Sequence, residues 1–196
     1  MKRTIPASAD SSAPLIDPGL AGTMPHIPVL SRAVPVFAGE GERSLKVLLQ
    51  RVNRAAVRVD GATVGEIGPG ILVLLGVESG DGDVDADYFA DKTAELRIFR
   101  DDEGRMNRSV EEVGGAVLVI SQFTLAASTR RGRRPSYSHA AAPGEANRLY
   151  ERYRDRLAAR GLEVACGTFQ AMMEVESIND GPVTILLDPP PFREKS

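Results

Sequence analysis

Hydrophobic positions along the chain predict a series of short strands. Residues 71–77 form a continuous apolar run, which is typical of a strand buried on both faces. Asp60-Gly61 is a favourable two-residue turn between two alternating segments and predicts a β-hairpin. A second, shorter hairpin is predicted through residues 101–104. The predicted strands cover residues 45–52, 55–59, 63–67, 71–77, 116–121, 163–169, 173–178 and 183–187.

Two other segments show the 3.6-residue period of an amphipathic helix. Residues 83–96 carry aspartates near their N-terminal end, where the helix dipole favours negative charge. Residues 143–160 begin with Pro143, which suits a first helical turn, and are followed by Gly161. Because strands outnumber helices and arrive as hairpins, the predicted fold class is α+β. We expect a mixed or largely antiparallel β-sheet, folded as a sandwich or a barrel-like core, with two main helices.

The first 44 residues differ from the rest of the chain. They contain six prolines among scattered serine, alanine and glycine, and no helical or strand period persists. Such a segment buries too little apolar surface to offset its ordering entropy, so residues 1–44 are predicted to be a mostly disordered N-terminal extension. Residues 45–188 are predicted to form one domain. Residues 189–196 begin with three prolines and are predicted to be a short tail.

Composition narrows the classes of function. The 196-residue chain is 42% apolar and 26% charged, as in globular proteins, and it lacks an apolar run long enough to span a membrane. Its one cysteine, Cys166, excludes a disulfide framework and fits a reducing compartment. The aspartate-rich segment 81–87 lacks the glycine and glutamate of a calcium loop, and no glycine-rich phosphate loop is present. We therefore predict no metal and no cofactor.

The charge is distributed unevenly along the chain. A net charge of −3 argues against a general nucleic-acid coat protein. Five consecutive positions nevertheless include four arginines, namely Arg130, Arg131, Arg133 and Arg134. A sharp basic cluster on an acidic protein is consistent with a local phosphate contact. A solvated, flexible loop is the alternative interpretation.

Two short polar segments are candidates for chemistry. Residues 121–125, Ser-Gln-Phe-Thr-Leu, lie where a buried strand is predicted to end. The free N–H groups and hydroxyls of such a strand end can hold a carbonyl and its developing oxyanion, although the same residues also finish strands that have no catalytic role. Residues 179–184, Asn-Asp-Gly-Pro-Val-Thr, are typical of a turn. The Gly–Pro bond in this turn is one that can be cis.

Together these two segments resemble the D-aminoacyl-tRNA deacylase family. The family motif S-Q-F-T-L matches residues 121–125, and N-x-G-P-[VF]-T matches residues 179–184. The similarity runs through residues 46–188 and leaves residues 1–44 unexplained. It implies a cytoplasmic homodimer that hydrolyses the ester between a D-amino acid and the terminal ribose of tRNA, and also glycine mischarged on tRNA-Ala. Neither a membrane nor DNA is an expected partner.

The resemblance also implies roles for individual residues. The catalytic segment consists of Ser121, Gln122, Phe123 and Thr124, whose main-chain N–H groups would polarise the ester carbonyl. Gly181-Pro182, with a cis bond, would enter the partner's pocket and exclude L side chains with its main-chain carbonyls. The rest of the substrate pocket would comprise Asn179, Thr184, Phe169, Ala171 and Met173. The acceptor-stem phosphates would be bound by Arg130, Arg131, Arg133 and Arg134.

Some positions depart from the family pattern or leave the chemistry open. In the F-G-A-x-M segment Gln170 replaces a glycine and Met172 replaces an acidic residue, while Ala126 stands where an aromatic residue is common. Thr124 is the obvious candidate nucleophile but lacks an evident base, and the terminal ribose 2′-OH is the other candidate to activate water. Two alternatives to a deacylase follow: a catalytically silent tRNA-binding module of the same fold, and an esterase of altered specificity.

Overall fold

A computed structural model describes residues 44–190. The predictions for residues 1–43, and for the tail from residue 191 onward, lie outside the described residues. The elements are β1 (Lys46–Val59), β2 (Ala62–Ile67), β3 (Gly70–Gly76), α1 (Asp83–Glu95), β4 (Phe99–Arg100), β5 (Met106–Arg108), β6 (Ala116–Ser121), α2 (Pro143–Ala159), β7 (Val164–Cys166) and β8 (Glu174–Leu186).

The predicted α+β class, the mixed sheet and the two main helices are confirmed. Six strands form one sheet in the order β2-β1-β3-β6-β7, with β8 also paired to β1, and β4 pairs with β5 in a separate hairpin. The β3–β6 and β6–β7 pairs are parallel, and the others are antiparallel. The sheet curls nearly into a barrel, because β2 lies against β7: a Cβ built on Gly65 would lie 2.5 Å from the carbonyl oxygen of Cys166.

Two pairs of predicted strands are single strands in the structure, and a third strand is shorter than predicted. The first two predicted strands form one long β1, whose first half pairs with β3 and whose second half pairs with β2. β7 ends at Cys166, three residues before the predicted end. Alternating positions of β1 fill the core, which includes Val47 and Leu49 on the helix side and Val52 and Val57 inside the barrel. Because β1 is long, it contributes side chains both to the core beneath the helices and to the core inside the barrel.

The last two predicted strands also form one strand, β8, and the chain does not reverse between them. β8 pairs with β1, but its register skips between Asn179, which lies opposite Val52, and Thr184, which lies opposite Gln50. Arg51 alone therefore stands opposite the four residues between them. Turn-forming residues here produce a bulge within a strand and not the predicted turn between two strands.

Helices α1 and α2 run parallel and pack on the sheet. Phe89, Leu149 and Tyr153 lie in their shared core, where the Tyr153 and Thr93 hydroxyls are 2.6 Å apart. Along the outer edge the carboxylates of α1 pair with the arginines of α2 at a constant spacing: Asp83–Arg148, Asp87–Arg152 and Asp91–Arg156. The arginines of α2 are therefore already paired with carboxylates.

Candidate functional site

The segment after β6 presents free main-chain donors to solvent. β6 ends at Ser121, and residues 123–126 form a single 3-10 turn that Gln122 begins. Gln122 is fixed by its N–H, which donates to the carbonyl of Leu75 at 2.7 Å. The N–H groups of Phe123 and Thr124 begin the turn, so they have no partner within it, and neither donates a hydrogen bond elsewhere in the described chain. Two adjacent donors are thus available to an outside acceptor.

Side chains and packing hold this segment in place. The Thr124 hydroxyl is exposed and accepts a hydrogen bond from the Gln122 side-chain amide at 2.5 Å. Gly76, at the end of β3, approaches the segment so closely that an added Cβ would lie 2.9 Å from both the Gln122 carbonyl oxygen and the Leu125 Cβ. The strand end therefore requires glycine at this position for the 3-10 turn to close against β3.

The bulge in β8 contains Gly181-Pro182, and the peptide bond between them is cis. Gly181 has a φ of +132°, a conformation that L residues rarely adopt. A Cβ built there would lie 2.7 Å from Val183 Cγ2 and 3.0 Å from the Val183 nitrogen. The Asn179 side chain braces the bulge, because its oxygen accepts from the Val183 N–H at 2.8 Å and its nitrogen donates to the Thr184 hydroxyl at 3.0 Å.

Arg51 supports the same bulge, and sequence reasoning did not identify it. Its side chain is only 3% exposed. Its Nε lies 2.8 Å from a carboxylate oxygen of Asp180 and donates to the Asp180 carbonyl, while Nη1 donates to the carbonyl of Ile98. The signal was present in the sequence: the alternate buried positions Leu45, just before β1, and Val47 and Leu49, within it, are followed by an arginine. A charged residue at a core position of a strand indicates a specific partner.

Within one chain the two motif segments do not meet. β6 and β8 are separated in the sheet by β3 and β1, which is roughly 14 Å across the strands. Ser121 pairs with Leu75, whereas Arg51 pairs with Ile71, so the segments also differ by four residues, about 13 Å, along the strands. The two segments therefore lie well apart within one chain.

The third group of predicted site residues follows β7. Phe169 packs against Tyr150, with ring centroids 6.1 Å apart, and Met173 packs on the barrel core. Gln170 has a φ of +63°, so it keeps the left-handed conformation that the glycine of the family pattern favours. Met172 is 91% exposed and adds an apolar surface where the pattern has an acid. Phe169 and Met173 therefore lie partly in the core.

The four clustered arginines lie on a closed loop beside the strand end. Ser128 and Ser136 exchange two backbone hydrogen bonds of 2.8 and 2.9 Å, which pin the base of the loop formed by residues 129–135. All four arginines are exposed, and none forms an ion pair with the residues that the structure describes. The loop is tied to the 3-10 turn by Tyr137, whose ring centroid lies 5.1 Å from that of Phe123.

Other groups offer little chemistry. Burial raises the pKa of the half-buried Cys166 thiol, so the thiolate needed by a nucleophile is disfavoured. No group of three or more His, Cys, Asp or Glu side chains within residues 44–190 could hold a metal ion. No helix in that range is both long and apolar enough to cross a membrane.

Comparison with known proteins assigns the whole described domain to one group. Residues 48–188 match the family model described as D-Tyr-tRNA(Tyr) deacylase. A D-aminoacyl-tRNA deacylase of Syntrophotalea carbinolica is 62% identical over 144 residues, which cover 74% of this chain and 97% of that protein. A solved structure titled c-Myc DNA unwinding element binding protein superimposes with a TM-score of 0.70 at 36% identity, covering 74% of this chain and 99% of that one. A probable eukaryotic D-amino acid tRNA deacylase, 20% identical, has the same fold with a TM-score of 0.64 over 73% of this chain and 98% of that one.

Proposed function

The chain belongs to the D-Tyr-tRNA(Tyr) deacylase family and is a D-aminoacyl-tRNA deacylase, a hydrolase, and from this premise we propose how it selects and cleaves its substrate. The ester between a D-amino acid and the terminal ribose of tRNA is cleaved by water, which releases the free amino acid and a ribose hydroxyl. The observation that carries this mechanism is the pair of unsatisfied main-chain N–H groups at Phe123 and Thr124. The reaction serves translation, so we place the enzyme in the cytoplasm.

The two N–H groups stabilise the transition state. Water attacks the ester carbonyl carbon, negative charge develops on the carbonyl oxygen, and two fixed donors lower the energy of that oxyanion. The carbon–oxygen bond to the ribose then breaks, and the ribose oxygen takes up a proton. The Thr124 hydroxyl is bonded by the Gln122 side-chain amide and not by an imidazole or a carboxylate, so we assign the activation of water to the neighbouring ribose 2′-OH.

Thr124→Ala separates this mechanism from covalent catalysis. Because the Thr124 main-chain N–H remains in the alanine variant, we expect its single-turnover rate on D-tyrosyl-tRNA to stay within about threefold of wild type. A nucleophilic threonine would instead give a loss of several orders of magnitude. Thr124→Pro, which removes the N–H itself, is the matched comparison and is expected to lose about 100-fold or more.

The chirality filter is formed across a dimer. Gly181-Pro182 of one subunit enters the pocket made by Ser121, Gln122, Phe123 and Thr124 of the other, which agrees with the separation of the two segments within one chain. Main-chain carbonyls of the bulge face the substrate's α-carbon and leave no room for an L side chain, whereas D residues place only hydrogen there. Glycine has no side chain to reject, so glycine mischarged on tRNA-Ala is also a substrate. Phe169, Ala171 and Met173 form the pocket wall, and Asn179 and Thr184 keep the bulge in shape.

The surface of β8 supports the dimer. Three apolar side chains within this strand are exposed, namely those of Val175, Ile178 and Leu186. An exposed, long strand edge with apolar side chains is a surface that proteins usually cover. Equilibrium sedimentation is expected to give twice the 21.0 kDa mass of one chain. A monomer that is active would contradict a chirality filter in which Gly181-Pro182 of one subunit acts in the pocket of the other.

The arginine loop binds the acceptor-stem phosphates. Arg130, Arg131, Arg133 and Arg134 are exposed and have no carboxylate partner in the described chain, unlike the arginines of α2. Free guanidiniums next to the catalytic segment are positioned for the RNA strand that carries the ester. Contacts of this kind are electrostatic and independent of sequence.

Replacing the four loop arginines with alanine is expected to weaken tRNA binding and to change its salt dependence. The slope of the logarithm of the binding constant against the logarithm of salt concentration is negative, and its magnitude should fall by roughly 3, because each lost phosphate contact removes just under one released counterion. Fluorescence anisotropy with labelled tRNA measures both quantities. Arg152→Ala is the control, since this arginine is already paired with Asp87, and its slope should equal that of wild type. An unchanged slope in the fourfold variant would show that the loop is merely solvated.

A further inference from the structure

The carboxyl ends of β6 and β7 lead into two different parts of the proposed site. The two strands are parallel, and Val119 of β6 pairs with Cys166, the last residue of β7. The proposed catalytic segment begins two residues after Val119, at Ser121, and residues 167–173 leave the sheet beside it. These residues include Phe169, which belongs to the proposed pocket wall. The two segments must keep a fixed separation, because groups that act together in a site are held to within about 0.5 Å.

The segment that follows β7 packs closely on the end of β6. The Gly167 N–H donates to the Val119 carbonyl at 3.1 Å, which continues the pairing of the two strands by one residue. A Cβ built on Gly167 would lie 2.6 Å from Met173 Sδ and 3.1 Å from Ile120 Cδ1. The start of this segment therefore lies directly against the last residues of β6.

Tyr150 of α2 contacts both segments with one side chain, which is only 4% exposed. Its hydroxyl donates to the same Val119 carbonyl at 2.9 Å, so that carbonyl accepts two hydrogen bonds. Its ring packs against Phe169, with the ring centroids 6.1 Å apart. Burial raises the pKa of Tyr150 well above its usual value, so the hydroxyl keeps the proton that it donates.

We propose that Tyr150 is a positioning residue, which holds the catalytic segment and the pocket wall at the separation that the reaction requires. Its hydroxyl fixes the backbone two residues before Ser121, and its ring supports Phe169, so a shift of either segment disturbs a contact with Tyr150. Because the side chain is buried, Tyr150 acts through these two contacts and not on the substrate itself. The inference rests on the proposed function, since it concerns the same catalytic segment and pocket wall.

The test compares Tyr150→Phe with Tyr153→Phe in the full-length protein, since each variant loses one buried hydroxyl and keeps its ring. Tyr153 also belongs to α2, but its hydroxyl lies 2.6 Å from that of Thr93 on α1, which is not part of the proposed site. Both melting temperatures are expected to fall by roughly 2–6 °C. Only Tyr150→Phe is expected to lower kcat for D-tyrosyl-tRNA, by roughly tenfold, because small displacements of positioned groups are costly. Its KM should stay within about twofold of wild type, because the N–H donors act mainly in the transition state.

The amide chemical shifts of Phe123 and Thr124, measured by NMR on ¹⁵N-labelled protein without substrate, give a readout that does not depend on activity. They are expected to move in Tyr150→Phe and to keep their wild-type values in Tyr153→Phe. Equal kcat values for the two variants, at a temperature where both are folded, would overturn the positioning role, and so would unmoved amide shifts in Tyr150→Phe. If wild type cleaves no D-ester while the shifts move in Tyr150→Phe alone, the proposed function fails and the coupling between the two segments stands.

Discussion

Gly181→Ala is expected to lower kcat/KM for D-tyrosyl-tRNA by about 100-fold, because misplacing a positioning group by a fraction of an ångström to one ångström costs rates of that order. The added methyl would lie 2.7 Å from Val183 Cγ2, 3.0 Å from the Val183 nitrogen and 3.1 Å from Arg51 Nη2. Relief of these contacts requires the bulge to move, and a φ of +132° is itself unfavourable for alanine. Steady-state kinetics with D- and L-tyrosyl-tRNA measure the effect.

Gly68→Ala is the matched control for this substitution. A Cβ at Gly68 meets no atom within 4 Å, and its backbone has no positive φ. The control is expected to keep wild-type activity and a melting temperature close to that of wild type. A Gly181→Ala enzyme with unaltered activity would show that the bulge does not contact the substrate.

Arg51→Met is expected to have the second largest effect. The buried guanidinium bonds the carbonyls of Ile98 and Asp180 and pairs with the Asp180 carboxylate, so its loss should reduce the free energy of unfolding by about 2–3 kcal/mol. The penalty stays moderate because the Asp180 side chain is 42% exposed and can be hydrated when its partner is removed. Denaturant unfolding measures this quantity.

Arg51 acts through the bulge, so its kinetic signature should differ from that of a merely stabilising residue. We expect Arg51→Met to lower kcat for D-tyrosyl-tRNA at least tenfold at a temperature where the variant is fully folded, and to raise the slow hydrolysis of the L-ester. Arg51→Lys, which keeps a charge but cannot reach both carbonyls, should recover only part of the loss. Arg54→Met is the control, because Arg54 is 60% exposed and its pair with Glu176 contributes little. Loss of stability without any kinetic change would restrict Arg51 to a structural role.

Most of the fold follows from local patterns in the sequence, and the exceptions share a cause. Apolar runs, the Asp60-Gly61 turn and the two helical periods predict their elements to within a few residues. β8 was predicted as two strands because Gly181-Pro182 is typical of a turn in isolation. The chain continues because side chains distant in sequence, Arg51 above all, brace the bulge against β1. Such braces join positions more than a hundred residues apart and leave no local pattern.

The candidate site is predictable in part for the same reason. The two motifs locate the strand end and the bulge, and the structure gives each a defined geometry. Their separation by two strands is a property of sheet order, which hydrophobic periodicity does not report. The exposure of Tyr137 and the closure of the arginine loop by Ser128 and Ser136 likewise depend on tertiary contacts. Sequence patterns therefore identify the chemical groups, whereas topology determines which of them can act together.

Deacylation of D-tyrosyl-tRNA and L-tyrosyl-tRNA, measured side by side with purified protein, tests the central claim most directly. The account predicts rapid loss of the D-ester while the L-ester decays only at the rate seen without enzyme. Equal loss of both esters would contradict the main-chain chirality filter and indicate an esterase of altered specificity. Loss of neither ester, with tRNA still bound, would contradict the mechanism and indicate a silent tRNA-binding module.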